Sequence, residues 1–163
     1  MPLKSFAPPL IALAVVLPVL SASGEAVSRS DIVVVDSHTL AIRGERIRLL
    51  DFDSPELGAH AHCAIERMLA ARSVSRLRQI INTGEEIDLQ IVECSCPSGT
   101  EGTFACNWGR ACGYLTVDRR DIGDILVSEN LAHPYVCSRY SCPKRQPWCP
   151  FVDPDQSPGP VHR

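Results

Sequence analysis

The chain has 163 residues, of which 45% are hydrophobic, 16 are Lys or Arg and 19 are Asp or Glu. That length suits one domain, and a formal net charge of −3 at pH 7 excludes binding to a polyanion through the overall electrostatic field. Any contact with nucleic acid must therefore be local and built from arginines.

The first 23 residues have the order of a secretory signal peptide. A single cation, Lys4, precedes an apolar stretch over 7–20, and small side chains follow it. A membrane anchor is the alternative, but the apolar run is short for a membrane span and is interrupted by prolines. We therefore expect a signal peptide at 1–23, and a secreted or periplasmic protein that is monomeric and not embedded in a membrane after cleavage.

Three strands are predicted directly after this segment. Runs that are β-branched or that alternate apolar and polar residues occupy 31–35, 39–42 and 46–50. The links between them are short and polar, and Gly44 supplies the positive φ that a tight second turn needs. These runs predict an antiparallel meander.

A helix, two strands and a second helix follow. Apolar residues recur at helical spacing at Ile65, Met68, Leu69, Leu77, Ile80 and Ile81. The segment 82–84 should end this helix. Strands are predicted over 86–93 and 112–117. A short helix is then predicted with Asp121 as its N-cap and Ile122, Ile125 and Leu126 facing inward.

This order of elements predicts an α+β, mainly β fold, in which helices pack on a five-stranded OB-fold barrel over 27–135. From Pro134 onward the composition changes. Residues 136–163 form a Cys- and Pro-rich tail, and its last dozen residues have little apolar surface to bury. We expect that end to be disordered.

All eight cysteines follow the predicted signal peptide, and an even number in an exported chain predicts disulfides. Two nested bridges are predicted at the end of one strand and the start of the next: Cys96–Cys106 and Cys94–Cys112. For the remaining four cysteines, Cys137–Cys142 or Cys63–Cys149 are candidates. Eight cysteines allow 105 connectivities, so the sequence alone does not fix the pairing. A Cys₄ zinc knuckle made by residues 94, 96, 106 and 112 is the alternative, which an oxidising compartment disfavours.

Three segments in order resemble the thermonuclease (staphylococcal nuclease-like) family. The stretch "VVDSHTLAIRGERIRLLDFDSPE" resembles its signature of Asp-Gly-Asp-Thr, a hairpin, Arg-Leu-Leu and Asp-x-Pro-Glu. The stretch "CAIERMLAARSVSRL" resembles the following helix. "WGRACGYLTVDRRDIGDILVSENLAHPY" resembles the Tyr-Gly-Arg element, strand and helix that end the domain. The resemblance covers roughly residues 31–135.

The resemblance implies an OB barrel that hydrolyses DNA and RNA phosphodiesters. By position, the two catalytic arginines fall on Arg48 and Arg110, and the catalytic glutamate falls on Glu56. These residue types suit the reaction, because a guanidinium donates paired hydrogen bonds to the phosphate oxygens on which charge develops. A glutamate can take the proton of the attacking water. Taken singly, each of the three would be assigned to a strand surface, a cap or a turn.

The resemblance also implies a divalent metal, usually calcium, held by Asp53 and by the residue at position 38, with the carbonyl of Ser54 directed at the ion. Here the Asp-Gly-Asp-Thr element reads Asp-Ser-His-Thr, so His38 offers a nitrogen in place of a carboxylate. Ca²⁺ prefers hard oxygens, whereas imidazole suits Mn²⁺, Ni²⁺ or Zn²⁺. We expect Mn²⁺ or Zn²⁺ to be candidates beside Ca²⁺, unless His38 only occupies a polar turn. Ser37 replaces a glycine and would be strained at a positive φ.

Two other functions stay open beside the exported nuclease. One is an inactive or weakly active OB-fold module that binds nucleic acid or a protein partner, and the other is a disulfide-stapled interaction protein. Trp108, in place of the family's tyrosine, could stack on a base or merely cover the barrel rim. Single-strand binders line a basic groove with several aromatics, but this acidic chain has only nine, one of them in the signal peptide. The arginines and the glutamate favour the nuclease.

Overall fold

The computed structural model of the protein describes residues 24–138 and 141–150. The predicted signal peptide and the predicted disordered end of the tail lie outside the described residues. The strands are β1 (Glu25–Ala26), β2 (Ile32–Val34), β3 (Thr39–Ile42), β4 (Glu45–Leu49), β5 (Phe52–Asp53), β6 (Ile87–Val92), β7 (Ala111–Val117), β8 (Arg120–Asp121) and β9 (His133–Pro134). The helices are α1 (Ala64–Thr83) and α2 (Ile122–Ser128), with single 3₁₀ turns at Arg29–Asp31, Gly58–His60 and Asn107–Gly109. None of the helices in the described ranges has both the length and the apolar character that crossing a membrane requires.

The fold is α+β and mainly β, as the sequence predicts. Its principal sheet has the order β1-β6-β7-β4-β3-β2, with β8 paired to β7, and it curls into a half-barrel. Strands β2, β3 and β4 form the predicted meander, whose second turn places Arg43 and Gly44 at φ 50° and 91°. The pairing of β4 with β7 is parallel. Four of the strands have only two residues and are not predicted by the sequence.

Helix α1 begins at Cys63, whose sulfur accepts a hydrogen bond from the backbone N–H of Glu66, and it ends at Gly84. Its predicted apolar face is wrong in the first two turns, where Ile65 and Met68 are 45% and 54% exposed. Glu66 and Ala70 are buried instead, because the start of the helix packs under the loop that carries Glu56 rather than on the core. Polar contacts thus fix the helix phase there.

Helix α2 agrees with its prediction, since the Asp121 carboxylate caps it by accepting from the N–H groups of Gly123 and Asp124 at 2.7 and 3.2 Å. Its apolar face and the last turns of α1 join the side chains of the curved sheet in one hydrophobic core. The core therefore lies between the sheet and the two helices, and the polar site described below lies at its rim.

The eight cysteines form four disulfides: Cys63–Cys149, Cys94–Cys112, Cys96–Cys106 and Cys137–Cys142. The nested pair is the one expected from the strand ends, and both candidate pairs for the rest are present together. No thiolate is left for a zinc knuckle. Four disulfides are compatible with a protein of an oxidising, extracellular compartment.

Candidate functional site

The parallel pairing of β4 with β7 brings distant parts of the chain to one place. In the register, Arg48 on β4 lies between Thr39 on β3 and Cys112 on β7. Arg110 directly precedes β7, so the same register continues to Arg46, two residues before Arg48 on β4. Arg110 also lies close enough to Arg48 for the two charges to repel each other. The two predicted catalytic arginines, 62 positions apart in sequence, therefore lie at one end of adjacent strands.

Arg48 is buried, with an exposed fraction of 6%, although strand alternation alone would place it on the solvated face. Its Nη2 donates to the carbonyl of Phe52 at 3.2 Å, whereas its Nη1 is buried and has no hydrogen-bond partner among the described residues. Burial, together with repulsion from Arg110 and Arg145, lowers the pKa of Arg48 to about 10. The side chain is thus a cation at neutral pH with an unsatisfied donor, which an anionic ligand would satisfy.

Arg110 is held by its own loop and by strand β3. Its Nε donates to the carbonyl of Asn107 at 2.8 Å, and its Nη1 donates to the hydroxyl of Thr39 at 2.7 Å. Asn107, Trp108 and Gly109 all have left-handed backbone angles, with φ of 49°, 61° and 74°. Such a run is unfavourable for the two residues that carry side chains. The nested disulfides Cys96–Cys106 and Cys94–Cys112 close the loop on both sides and hold it in this shape.

Glu56 and Asp53 provide two neighbouring carboxylates. Asp53 lies on β5 with a side chain 3% exposed, and Glu56 follows three residues later with a side chain 29% exposed. The backbone N–H of Glu56 donates to the carboxylate of Glu66, which also accepts from the N–H of His62. Burial disfavours the charged form of Glu66, but these backbone bonds lower its pKa below the usual value. Glu66 therefore anchors the loop that positions Glu56, a role that sequence reasoning missed.

Arg145 is a third arginine of the site and lies in the segment that the sequence analysis assigned to a tail. Its Nη1 donates to Oε1 of Glu56 at 3.0 Å, and its Nε lies 3.3 Å from Oδ1 of Asp53. The latter oxygen is buried and has no aligned hydrogen bond, so this contact is an ion pair only. Burial opposes the charge of Arg145, but the carboxylates of Asp53 and Glu56 raise its pKa.

Residues 141–149, which we name the C-terminal strap, carry Arg145 to the site. Cys142 and Cys149 bond to Cys137 and Cys63, so the strap is fixed near both ends. Trp148 stacks on the ring of His133, with centroids 3.9 Å apart and planes 19° apart. Only the cysteine pairing could have signalled this placement, because nothing local in the sequence marks Arg145.

Burial raises the pKa of two acids near the site, Asp53 and Asp36. Burial raises the pKa of Asp53, and the attraction of Arg145 and Arg48 offsets this only in part. Burial likewise raises the pKa of Asp36, against the hydrogen bond from Thr39 and the attraction of Arg110 and Arg48. Desolvation is therefore the dominant electrostatic effect on both carboxylates.

Three clefts meet at Arg145, with volumes of about 470, 630 and 670 Å³. The first also contains Arg48 and Arg110, the second contains Asp53 and Glu56, and the third contains Glu56 and Arg110. Trp108 and Phe104 line the third cleft at 66% and 71% exposure. Their rings meet edge to face, with centroids 4.3 Å apart. Phe104 was not singled out by sequence, because an aromatic residue in an irregular loop has no periodicity.

The ring of His38, one of the predicted metal ligands, contacts two neighbouring side chains. Nδ1 of His38 lies 2.8 Å from the hydroxyl of Ser54 and 3.1 Å from Oδ1 of Asp36, and the ring is buried. His38 thus connects its loop to the loop of Ser54 through the Ser54 hydroxyl, so its side chain is not without contacts in a polar turn. Ser37 is outside the left-handed region, so the loss of glycine strains nothing, although its buried hydroxyl has no partner among the described residues.

These residues do not form the cluster of side-chain oxygen ligands that Ca²⁺ commonly takes. No three of the acidic and histidine side chains at the site have ligand atoms mutually within 4.8 Å; within the described residues, that holds only for Cys63, Glu66 and Cys149. Those two cysteines are bonded to each other, so they offer no thiolate to an ion. Oδ1 of Asp53 and Oε1 of Glu56 both contact the guanidinium of Arg145. Binding of a divalent cation stays a prediction.

The structure thus brings together Arg48, Arg110, Glu56 and Asp53 and adds Arg145 to them, with Trp108 at the edge of the same region. His38 and Ser54 are buried, and their side chains lie within hydrogen-bond distance of each other. Comparison with known proteins identifies no relative: the chain matches no family model, and no curated protein matches it.

Proposed function

We propose that the protein is an exported phosphodiesterase of the thermonuclease type, which hydrolyses DNA or RNA. The observation that carries this proposal is the buried guanidinium of Arg48, whose Nη1 has no partner among the described residues while two further arginines repel it. A protein gains nothing in stability from a buried cation that lacks a hydrogen-bond partner and lies near two further cations. A phosphate anion between them would satisfy the donor and relieve the repulsion.

The chemistry follows from the neighbours of that anion. Arg48 and Arg110 donate to the non-bridging oxygens and stabilise the additional charge of the phosphorane-like transition state, each donor being worth about 3–4 kcal/mol in comparable sites. Glu56 takes a proton from the attacking water, whose oxygen forms a bond to phosphorus as the ester P–O bond breaks. The leaving oxygen takes a proton from solvent. In the described residues Oε2 of Glu56 makes no hydrogen bond, and this leaves it available to the water.

We infer that the half-barrel is an OB fold. The order β2-β3-β4-β7-β6, with a parallel contact between its third and fourth members, supports this topology. A direct β2–β6 pairing, which would close the barrel, is absent from the described residues, where β6 pairs with the short strand β1 instead.

The substrate class is argued from the exposed aromatic pair. Phe104 and Trp108 border the cleft that contains Glu56 and Arg110. Base stacking on such rings is worth about 1–3 kcal/mol per base and requires that the base be unstacked from its own helix. Single-stranded DNA or RNA is therefore the preferred substrate. The same pair also favours the second candidate, a module that binds single strands without cleaving them.

One experiment separates these functions. Purified mature protein with intact disulfides is incubated with labelled single-stranded DNA and RNA, in EDTA and in Ca²⁺, Mn²⁺, Mg²⁺ or Zn²⁺, and cleavage and binding are measured in parallel. We expect cleavage that Glu56→Gln abolishes without loss of binding. Binding without cleavage in every condition would favour the binding module. Absence of both binding and cleavage would favour an interaction protein with other partners.

A further inference from the structure

The guanidinium of Arg145 lies where the resemblance would require a cation. The resemblance implies that the ion lies on the carboxylate of Asp53, three residues before Glu56. In the structure Arg145 contacts both, at 3.3 and 3.0 Å. A guanidinium is a planar cation with five N–H donors, and these two contacts use only part of them. Donors therefore remain for a phosphate oxygen.

The charge of the site is consistent with a resident organic cation. Asp53 has a buried side chain, and its repulsion by Glu56 adds to the cost of burying its charge. Arg145 is the strongest of the attractions that offset this cost. Position 38, which would supply the ion with a second carboxylate, holds a histidine whose Nδ1 faces Ser54 and Asp36. The carboxylates present are thus balanced by arginine.

The covalent structure keeps that cation in place. Arg145 is 89 positions from Glu56 in sequence and half exposed, and a free chain segment would rarely hold it there. The disulfides to Cys63 and Cys137 and the stacking of Trp148 on His133 fix the strap. The ring centroid of Tyr135 lies 5.9 Å from the guanidinium carbon of Arg145.

We propose, on the basis of the proposed function, that Arg145 substitutes for the divalent metal: it neutralises Asp53, orients Glu56 and donates to the scissile phosphate. Hydrolysis then proceeds with three arginines and one general base. No co-reactant beyond water is needed, since the guanidinium stays protonated throughout. A divalent ion competes with Arg145 for the same two carboxylates instead of assisting it.

The test compares wild type with Arg145→Gln, Arg145→Lys and the control Lys144→Gln. Lys144 is exposed, lines the second cleft next to Arg145 and makes no ion pair within the described ranges, so its replacement removes one positive charge from the strap without breaking an ion pair. Thermal melting and thiol counting check that each variant is folded and oxidised. Cleavage of single-stranded DNA is measured in EDTA and in Ca²⁺, and Ca²⁺ binding is measured separately by calorimetry.

We expect wild type and Lys144→Gln to cleave equally well in EDTA, and Arg145→Gln to lose about 100-fold, the cost of one transition-state donor. Arg145→Lys should lose less, because it keeps the charge without the fork. Arg145→Gln should bind Ca²⁺ more tightly than wild type, since it uncovers two carboxylates. This calorimetric result does not depend on activity.

Several results would refute the proposal that Arg145 replaces the metal while leaving the proposed nuclease activity standing. These are cleavage by wild type only with metal, equal or faster cleavage by Arg145→Gln, or an equal loss of cleavage in Lys144→Gln. Absence of cleavage by wild type in every condition would instead refute the proposed function. Calcium binding would then still decide whether Arg145 excludes the ion, with unchanged affinity in Arg145→Gln counting against it.

Discussion

The disulfide Cys63–Cys149 should contribute more stability than any other single covalent link of the described fold. It joins residues 86 positions apart, whereas Cys137–Cys142 spans five. In the chain-entropy model, loops of these lengths restrict the denatured state by about 4.6 and 2 kcal/mol at 25 °C. The double variant Cys63→Ser/Cys149→Ser should therefore lose about 3–5 kcal/mol of unfolding free energy, and Cys137→Ser/Cys142→Ser about 2 kcal/mol.

The serine at position 63 makes the comparison clean, because serine is a good N-cap and can accept from the N–H of Glu66 as the cysteine sulfur does. Urea denaturation followed by circular dichroism at 222 nm gives both free energies. Cleavage in EDTA should also fall in the Cys63 and Cys149 variant, since its strap is released at the end beyond Arg145. A loss of unfolding free energy below about 1 kcal/mol would refute the reasoning that this bond fixes the strap. Cleavage by the double variant at the wild-type rate in EDTA would refute it as well.

Three further predictions concern single side chains. Glu66→Gln should lower the free energy of unfolding by about 2–3 kcal/mol and reduce kcat, because one buried acceptor becomes a donor facing the N–H groups of Glu56 and His62. The fold lowers the pKa of Glu66, so the stability that its charged form contributes is lost as the pH falls through that lowered pKa. Urea titrations should therefore show the difference between variant and wild type at neutral pH and its loss in acid. Asp53→Asn should have the opposite effect, because burial raises the pKa of Asp53: the variant should be more stable than wild type at pH 7, and the gain should vanish in titrations near the usual aspartate pKa. His38→Asp alone should not create calcium-dependent cleavage, whereas His38→Asp with Arg145→Gln should do so, as rate measurements against Ca²⁺ concentration would show; equal calcium dependence in the single variant would contradict this.

Much of the fold could be predicted because local pattern and tertiary packing agree there. Strands β2, β3, β4, β6 and β7 alternate or run apolar, and the Asp121 cap is a local signal that the structure keeps. The first turns of α1 differ, because Glu66 faces inward to bind backbone N–H groups, and a carboxylate in a helix normally indicates a solvated face. Periodicity therefore assigned Ile65 and Met68 to the wrong side.

The site could be predicted only where a motif carries it. Arg48, Glu56 and Arg110 stand at positions marked by the pattern that the sequence resembles, and the parallel pairing of β4 with β7 brings the two arginines together. Arg145 could not be predicted, because its position depends on two disulfides whose pairing sequence alone leaves among many alternatives. The bond from Cys149 to Cys63 fixes one end of the strap, and the bond from Cys142 to Cys137 fixes the other.

The most direct test of the central claim is the single-turnover rate at which the mature protein cleaves one phosphodiester in a labelled single-stranded oligonucleotide, compared with Glu56→Gln and Arg110→Ala under saturating protein. We predict cleavage by wild type, with each variant at least about 100-fold slower and the double variant little slower than either, as for groups that act together. Cleavage by Glu56→Gln or Arg110→Ala at the wild-type rate would contradict the assignment of these residues. A wild-type protein that binds the oligonucleotide at saturation and never cleaves it would contradict the claim that this is a nuclease.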